Sequence, residues 1–166
     1  GSEIYDSSYF DMVSGNVVSI SGRSLVTVVG QFRTGYNGNA SLLTIDDSTL
    51  VCKGDTLLST GTGGDIMLFR GANPVFRVTG GNFYSTTANG GLMNFEVPVG
   101  GYPEAPIQSL GTAYLQNNNT GKMYINILAS SPALTAGGKV VTPMAYVAGS
   151  SRMNRIFFDH ATNAAG

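Results

Sequence analysis

The chain has 166 residues, a formal net charge of −1 and charged side chains at only 11% of positions, against roughly 25% in an average soluble domain. This length suits one substantial domain. The near-zero net charge argues against nucleic-acid binding, and the lack of a long apolar run or basic amphipathic stretch argues against membrane insertion.

Gly1-Ser2 is typical of the scar left after tag cleavage. We assign residues 1–11 to this scar and to a lead-in segment that precedes the repeat. We expect the chain to be an excised piece of a longer protein. The single cysteine, Cys52, excludes an internal disulfide and is predicted to be a small buried side chain on a strand. No Cys/His spacing indicates a metal site, and no motif indicates a cofactor.

Residues 12–100 repeat one pattern about every 25 residues. In each copy, apolar residues two positions apart point to the same side of a strand, and a constant phase predicts that they stack. One row is formed by Val18 and Ile20, Leu43 and Ile45, Met67 and Phe69, and Met93 and Phe95. A second row is formed by Val26 and Val28, Leu50 and Cys52, and Phe76 and Val78, each pair followed by a glycine, Gly30, Gly54 or Gly80.

Each copy consists of two strands separated by turn residues, with glycine-rich corners such as 60–64 and 88–91. One copy cannot bury its inward side chains alone. We therefore predict an all-β chain whose residues 12–100 form a right-handed parallel β-helix of about four rungs. The alternative is a β-sandwich or jelly roll, which also has short strands at regular spacing. A sandwich gives no reason for the same inward pair to return at the same phase four times, so the spacing favours the β-helix.

Residues 101–160 are predicted to form a non-repeating β region that caps the helix. Its first segment, 101–106, is broken by two prolines. A β-hairpin is predicted from the strands 113–115 and 123–128 around a loop at 117–121. Short strands are expected at 140–141, 144–147 and 152–158, and residues 161–166 are predicted to be a frayed tail.

Asp46, Arg70 and Glu96 occupy equivalent outward positions on successive rungs. The first interpretation is a polar groove of two carboxylates and a guanidinium, with Arg70 as a candidate ligand-binding residue. Such a groove suits sugar binding, or acid/base chemistry on a glycosidic bond, since glycoside hydrolysis uses a pair of carboxyl groups. The second, which we favour, is a ladder of alternating charges that sets the strand register. Asp47 aligns with Gly22 and Gly71, so we expect it to be a turn residue.

Further candidates are aromatic and polar residues outside the repeat. Tyr102, Tyr114, Tyr124 and Asn117 are candidate ligand-binding residues, because tyrosine rings and amides suit a neutral saccharide. Each tyrosine could equally pack in the core or against another subunit. The single histidine, His160, has no nucleophile motif to support a catalytic triad.

Assembly is indicated by the near absence of charge in the C-terminal third. Between residues 101 and 151 the charged residues are Glu104, Lys122 and Lys139. Such a β segment invites edge pairing unless it is buried against copies of itself. We expect a homo-oligomer.

The stacked motifs Leu25-Val-Thr-Val-Val-Gly30, Leu50-Val-Cys-Lys-Gly54 and Phe76-Arg-Val-Thr-Gly80, followed by a sparsely charged β region, resemble the distal part of a bacteriophage tailspike of the pectate-lyase-like β-helix type. The resemblance implies a homotrimer locked by its C-terminal β region, located at the tail tip of the virion. It also implies contact with a host surface polysaccharide.

The leading hypothesis is a non-enzymatic module that attaches the virion to host cell-surface polysaccharide and stabilises the spike trimer. One alternative is a polysaccharide depolymerase, a hydrolase or lyase, in which Asp46 and Glu96 carry out acid/base chemistry. Another is a bacterial solenoid adhesin. No recognisable motif assigns the catalytic carboxylates of tailspikes to residues of this chain.

Overall fold

The computed structural model describes residues 3–13, 15–36, 41–58, 65–85, 91–109, 114–115, 123–128, 130–135, 146–147 and 156–159. These residues are almost all in β-strands, apart from turns and one helix of four residues, α1 (Pro132–Thr135). The strands are β1 (Glu3–Asp6), β2 (Phe10–Val13), β3 (Val17–Ile20), β4 (Leu25–Val28), β5 (Phe32–Tyr36), β6 (Leu42–Asp46), β7 (Thr49–Cys52), β8 (Thr56–Leu58), β9 (Asp65–Arg70), β10 (Val75–Val78), β11 (Asn82–Ser85), β12 (Gly91–Phe95), β13 (Ile107–Ser109), β14 (Tyr114–Leu115), β15 (Met123–Ile127), β16 (Tyr146–Val147) and β17 (Ile156–Asp159). No helix in the described ranges is long and apolar enough to span a membrane.

The strands belong to three sheets that the chain visits in turn. Sheet I contains β1, β4, β7, β10, β13 and β16; sheet II contains β2, β5, β8, β11 and β14; sheet III contains β3, β6, β9, β12, β15 and β17. All hydrogen-bonded strand pairs among the described residues are parallel. From β1 to β15, the crossover that joins two parallel strands of one sheet therefore consists of one strand from each of the other two sheets. Between β15 and β17 the described residues include α1 and β16. This all-β, parallel arrangement is compatible with a parallel β-helix, and we call three consecutive strands, one per sheet, a coil.

The prediction of two strands per repeat is wrong, because the coils described from β1 to β15 each have a third strand, in sheet II. The strands of sheet II lie in segments such as Phe10–Val13 and Phe32–Tyr36, where only bends and glycine-rich corners were expected. Its buried side chains include the polar Thr34 and Thr56, which weaken the apolar alternation that identifies a strand. The glycine-rich corners predicted at 60–64 and 88–91 lie outside the described residues, apart from Gly91 in β12.

The predicted hairpin is also wrong. Its two strands, β14 and β15, do not pair with each other: β14 pairs in parallel with β11, and β15 pairs in parallel with β12. The sheets thus continue past residue 100 through β13, β14 and β15. The expected strand at 144–147 is present as β16 and the last expected strand as β17, whereas 140–141 and the tail 161–166 lie outside the described residues.

The two inward rows predicted from the repeat are confirmed. In sheet III, Val18 pairs with Leu43, Leu43 with Met67 and Met67 with Met93. The neighbouring row of sheet III, which starts with Ile20 and Ile45, includes Phe69 and Phe95. Both phenylalanines are fully buried, and their rings stack with centroids 4.7 Å apart and an interplanar angle of 9°. The same in-register pairing joins the second row in sheet I. Residues at one phase of the repeat therefore lie above one another in the core.

The core lies between the three sheets, which face one another. Phe32 of sheet II and Phe76 of sheet I are both fully buried, with ring centroids 6.0 Å apart. Cys52 is completely buried in the same cluster, as the sequence predicts. Inward side chains from all three sheets thus form one continuous apolar interior.

Gly30, Gly54 and Gly80, which follow the second apolar row, lie where neighbouring coils approach each other closely. A Cβ atom on Gly54 would lie 2.3 Å from the carbonyl oxygen of Gly30, and one on Gly80 would lie 2.4 Å from the carbonyl oxygen of Lys53. Both contacts are to backbone, which cannot move without shifting a whole coil. Glycine is therefore required at this corner for space.

We expect Gly54→Ala to lower the free energy of unfolding by about 1–3 kcal/mol, because the added methyl group pushes two backbones apart. The matched control is Gly22→Asn, since the space around Gly22 is open and asparagine tolerates its left-handed backbone, φ +69°. Urea unfolding of both variants measures the difference. Equal stability of the two variants would contradict the close packing of the coils.

A second prediction concerns Cys52. Burial raises the pKa of the Cys52 thiol from its ordinary value of 9.0 to about 12, and the neighbouring Thr56 hydroxyl offsets part of the rise. Above pH 9 the unfolded chain ionises this thiol and the folded chain does not. The stabilising contribution is therefore complete below pH 9 and falls by about 1.4 kcal/mol per pH unit between pH 9 and 12.

Urea unfolding of the wild-type protein and of Cys52→Ala at several pH values from 8 to 10.5 tests this. The difference in stability between the two proteins should shrink as the pH rises, because only the wild type carries the thiol. Parallel pH profiles would show that the thiol is not buried as described.

Candidate functional site

The predicted ladder of alternating charges, which we call the charge column, is present at the carboxyl ends of the strands of sheet III. Asp46 and Arg70 are paired residues at the ends of β6 and β9, and Glu96 directly follows β12. The Arg70 Nε atom lies 3.6 Å from Asp46 Oδ2 and 3.5 Å from Glu96 Oε2. The three side chains alternate in charge over three successive coils, as the repeat predicts.

This geometry favours the structural interpretation of the column. Arg70 contacts both Asp46 and Glu96, so its side chain lies between the two carboxylates, where a scissile bond would have to enter. The Arg70 side chain is 47% exposed, and ion pairs this open to solvent contribute about 0–1 kcal/mol. The column therefore fixes register and neutralises charge at small energetic gain.

Tyr102 covers the core beside this column. Its hydroxyl lies 2.9 Å from the carbonyl oxygen of Glu96 and 3.3 Å from that of Phe69, and its ring meets Phe95 edge-on at 6.4 Å. Burial, with a smaller contribution from the Glu96 charge, raises the pKa of Tyr102 well above its ordinary range. The structure thus gives Tyr102 a packing role, and its ligand-binding role stays a prediction.

The other predicted ligand residues are described only in part. Tyr114 lies in β14 opposite Asn82, and Tyr124 lies in β15 opposite Leu92, so the backbone places them in different sheets, II and III. Asn117 and His160 lie outside the described residues. The ligand-binding roles of Tyr114, Tyr124 and Asn117 stay predictions.

Asp47 is the turn residue that the sequence indicates. Its φ of 45° lies in the left-handed region, like that of Gly71 in the next coil and that of Arg23 in the preceding one, at 57°. The Asp47 carboxylate accepts a hydrogen bond from Arg23 Nε through Oδ2, and one from the backbone N–H of Asn73 through Oδ1, each 3.1 Å long. One carboxylate thereby joins three successive coils at the corner between sheets III and I.

A cleft of about 480 Å³ lies at this corner, and we call it the corner cleft. Polar and apolar surface contribute about equally to its lining, which consists of Arg23, Ser24, Leu25, Asp47, Ser48, Thr49, Asn73 and Arg77. Arg77 reaches it from β10 and donates from Nε to Gln108 Oε1 at 2.7 Å. Glu104 Oε2 lies 3.8 Å from Arg77 Nη2.

Sequence reasoning singled out Asp47 alone among the residues of the corner cleft. Arg23 and Asn73 lie in turns, where no apolar alternation draws attention to them. Their spacing from Asp47, 24 and 26 residues, matches the repeat. Aligning the turn residues at the repeat spacing, like the strand residues, predicts that Arg23, Asp47 and Asn73 lie at one corner.

A second cavity, of about 330 Å³, opens at the first coil. It is lined mainly by inward apolar residues, among them Ile4, Phe10, Val26 and Leu43. The same rows are covered by neighbouring strands in later coils. This cavity is therefore the end of the core, without the converging polar groups that distinguish a ligand site.

Comparison of the chain with protein-family models, with curated proteins and with solved structures finds no match.

The packing role of Tyr102 gives a direct test. Tyr102→Phe keeps the ring but leaves the carbonyl oxygens of Glu96 and Phe69 without the hydroxyl, so the free energy of unfolding should fall by about 1 kcal/mol. Tyr5→Phe, at an exposed position, is the control and should be neutral. Unchanged stability of Tyr102→Phe in thermal unfolding would contradict the packing role.

Proposed function

We propose that this chain is a receptor-binding module of a bacteriophage tail spike. In this proposal it lies at the tail tip of the virion, attaches the particle to host cell-surface polysaccharide and stabilises the spike. The three sheets would form a right-handed parallel β-helix, and three chains would associate side by side as a homotrimer. Binding of the polysaccharide needs no cofactor or metal.

The observation that carries the proposal is the corner cleft on the side of a stack of coils. Its hydroxyl and amide groups offer both donors and acceptors, which is what saccharide hydroxyls require. The cleft spans consecutive coils that are fixed to one another through Asp47. A site held by strands in this way stays preorganised for a repeating polymer.

Association into an oligomer is supported by the surface. Large apolar side chains lie open to solvent, including Val17 at 74% and Val99 at 69% exposure. With charges at 11% of positions, little on this surface keeps copies apart. Side-by-side association would cover such residues.

The oligomeric state is tested by sedimentation. At micromolar concentration we expect a single species of three times the chain mass of 17.3 kDa, resistant to heat or detergent. A monomer at this concentration would contradict the homotrimer. Binding is tested separately on an array of bacterial surface glycans, where retention of at least one polysaccharide is expected and retention of none would count against receptor binding.

The depolymerase alternative rests on the two carboxylates that flank Arg70. If Asp46 and Glu96 were catalytic, incubation with a bound polysaccharide would release reducing ends or unsaturated sugars. Asp46→Asn or Glu96→Gln would abolish this release, and Glu3→Gln, at an exposed position, would not. We expect no release from the wild-type protein; release that both variants abolish would establish the enzyme instead.

A bacterial solenoid adhesin shares the physical features of this proposal. An adhesin is carried by a bacterium and a tail spike by a virion, so glycan binding by the isolated chain would support either protein.

A further inference from the structure

The corner cleft concentrates charge in a chain that has little. Charged residues make up 11% of the sequence, yet Arg23, Asp47 and Arg77 all line this one cleft. Two guanidinium groups and one carboxylate therefore lie in the lining. Glu104 lies at its margin, 57% exposed, and forms an ion pair with Arg77 across 3.8 Å.

The first guanidinium is held in place and presented to solvent. Arg23 has a left-handed backbone, and it shares this feature with Asp47 alone among the described residues other than glycine. Such a conformation costs of order 1 kcal/mol or more and persists where the surroundings impose it. The bond from Nε to Asp47 holds the side chain, which lines the cleft and is nevertheless 85% exposed to solvent.

The second guanidinium is also oriented by its neighbours. Gln108 accepts from Arg77 Nε, and the Gln108 amide nitrogen in turn donates to the carbonyl oxygen of Ala105 at 3.1 Å and to Glu104 at 3.2 Å. Gln108 is buried, at 8% exposure. Arg77 is therefore positioned by a residue of the following coil.

We propose that the corner cleft binds a saccharide carboxylate, so that the polysaccharide recognised is an acidic one containing uronic acid or sialic acid units. A planar guanidinium matches a carboxylate with two parallel hydrogen bonds. The hydroxyl of Thr49 accepts from or donates to sugar hydroxyls, and the partly exposed Leu25 offers an apolar surface to the ring. This inference rests on the proposed function, which it narrows to one ligand class.

The experiment compares matched ligands by isothermal titration. The probes are oligosaccharides of galacturonate, of glucuronate with N-acetylglucosamine, and of N-acetylneuraminate, each beside its carboxyl-reduced counterpart. Wild-type protein should bind at least one acidic probe about tenfold or more tightly than its reduced form, as expected for charge-assisted hydrogen bonds. Raising the salt concentration should weaken this binding, because the contact is exposed.

Two variants locate the site. Arg23→Gln, which changes an exposed side chain, and Arg77→Gln should each weaken binding of the acidic probe about tenfold. Lys53→Gln removes one positive charge from an exposed position outside the lining and should leave binding unchanged.

The outcomes separate this inference from the function on which it rests. Equal binding of acidic and reduced probes would overturn the carboxylate site while leaving glycan binding intact. Acidic preference that survives both arginine substitutions, or that Lys53→Gln removes equally, would also overturn it. Binding of no saccharide, here or on the glycan array, would instead remove the proposed function itself.

Discussion

In-register stacking of apolar side chains on consecutive parallel strands is the interaction on which the rest of this structure depends. Among the described residues, no two strands of one coil pair with each other, so the backbone groups of a strand find partners in the neighbouring coils. The inward side chains of one coil are likewise covered by those above and below, as Leu43, Met67 and Met93 show. Burial and backbone hydrogen bonding therefore require the same register, and a slip of one residue would turn the inward row outward.

At the corners between the sheets, this register determines which turn residues meet at the surface. Because coils repeat, turn residues from separate parts of the sequence meet above one another, and Arg23, Asp47 and Asn73 join through a single carboxylate. Gly30 and Gly54 show the opposite requirement at another corner, where only the lack of a side chain lets the backbones approach. Any groove that recognises a polymer along this stack has its dimensions set by the core beneath it.

Much of this could be derived from the sequence, and the failures have physical causes. The apolar pairs of sheets I and III, the Asp46–Arg70–Glu96 column and the turn at Asp47 all followed from constant spacing. Sheet II was missed because its strands bury polar groups such as Thr34. The continuation past residue 100 was missed because the spacing lengthens to 31 residues between Arg77 and its partner Gln108, which hides the repeat. The corner cleft was missed because five of its eight lining residues, among them Arg23, Asp47 and Asn73, lie between strands, where hydropathy carries no signal.

The most direct test of the stacking is a methyl NOESY spectrum of protein labelled at its methionine and leucine methyl groups. Neighbouring strands lie about 4.8 Å apart, which brings methyl groups of paired residues close enough for an NOE. We therefore expect cross-peaks that link Leu43 to Met67 and Met67 to Met93. Single substitutions of these residues assign the peaks. Absence of both cross-peaks in the folded protein would contradict the stack, and with it the sheets, the corner cleft and the function proposed for them.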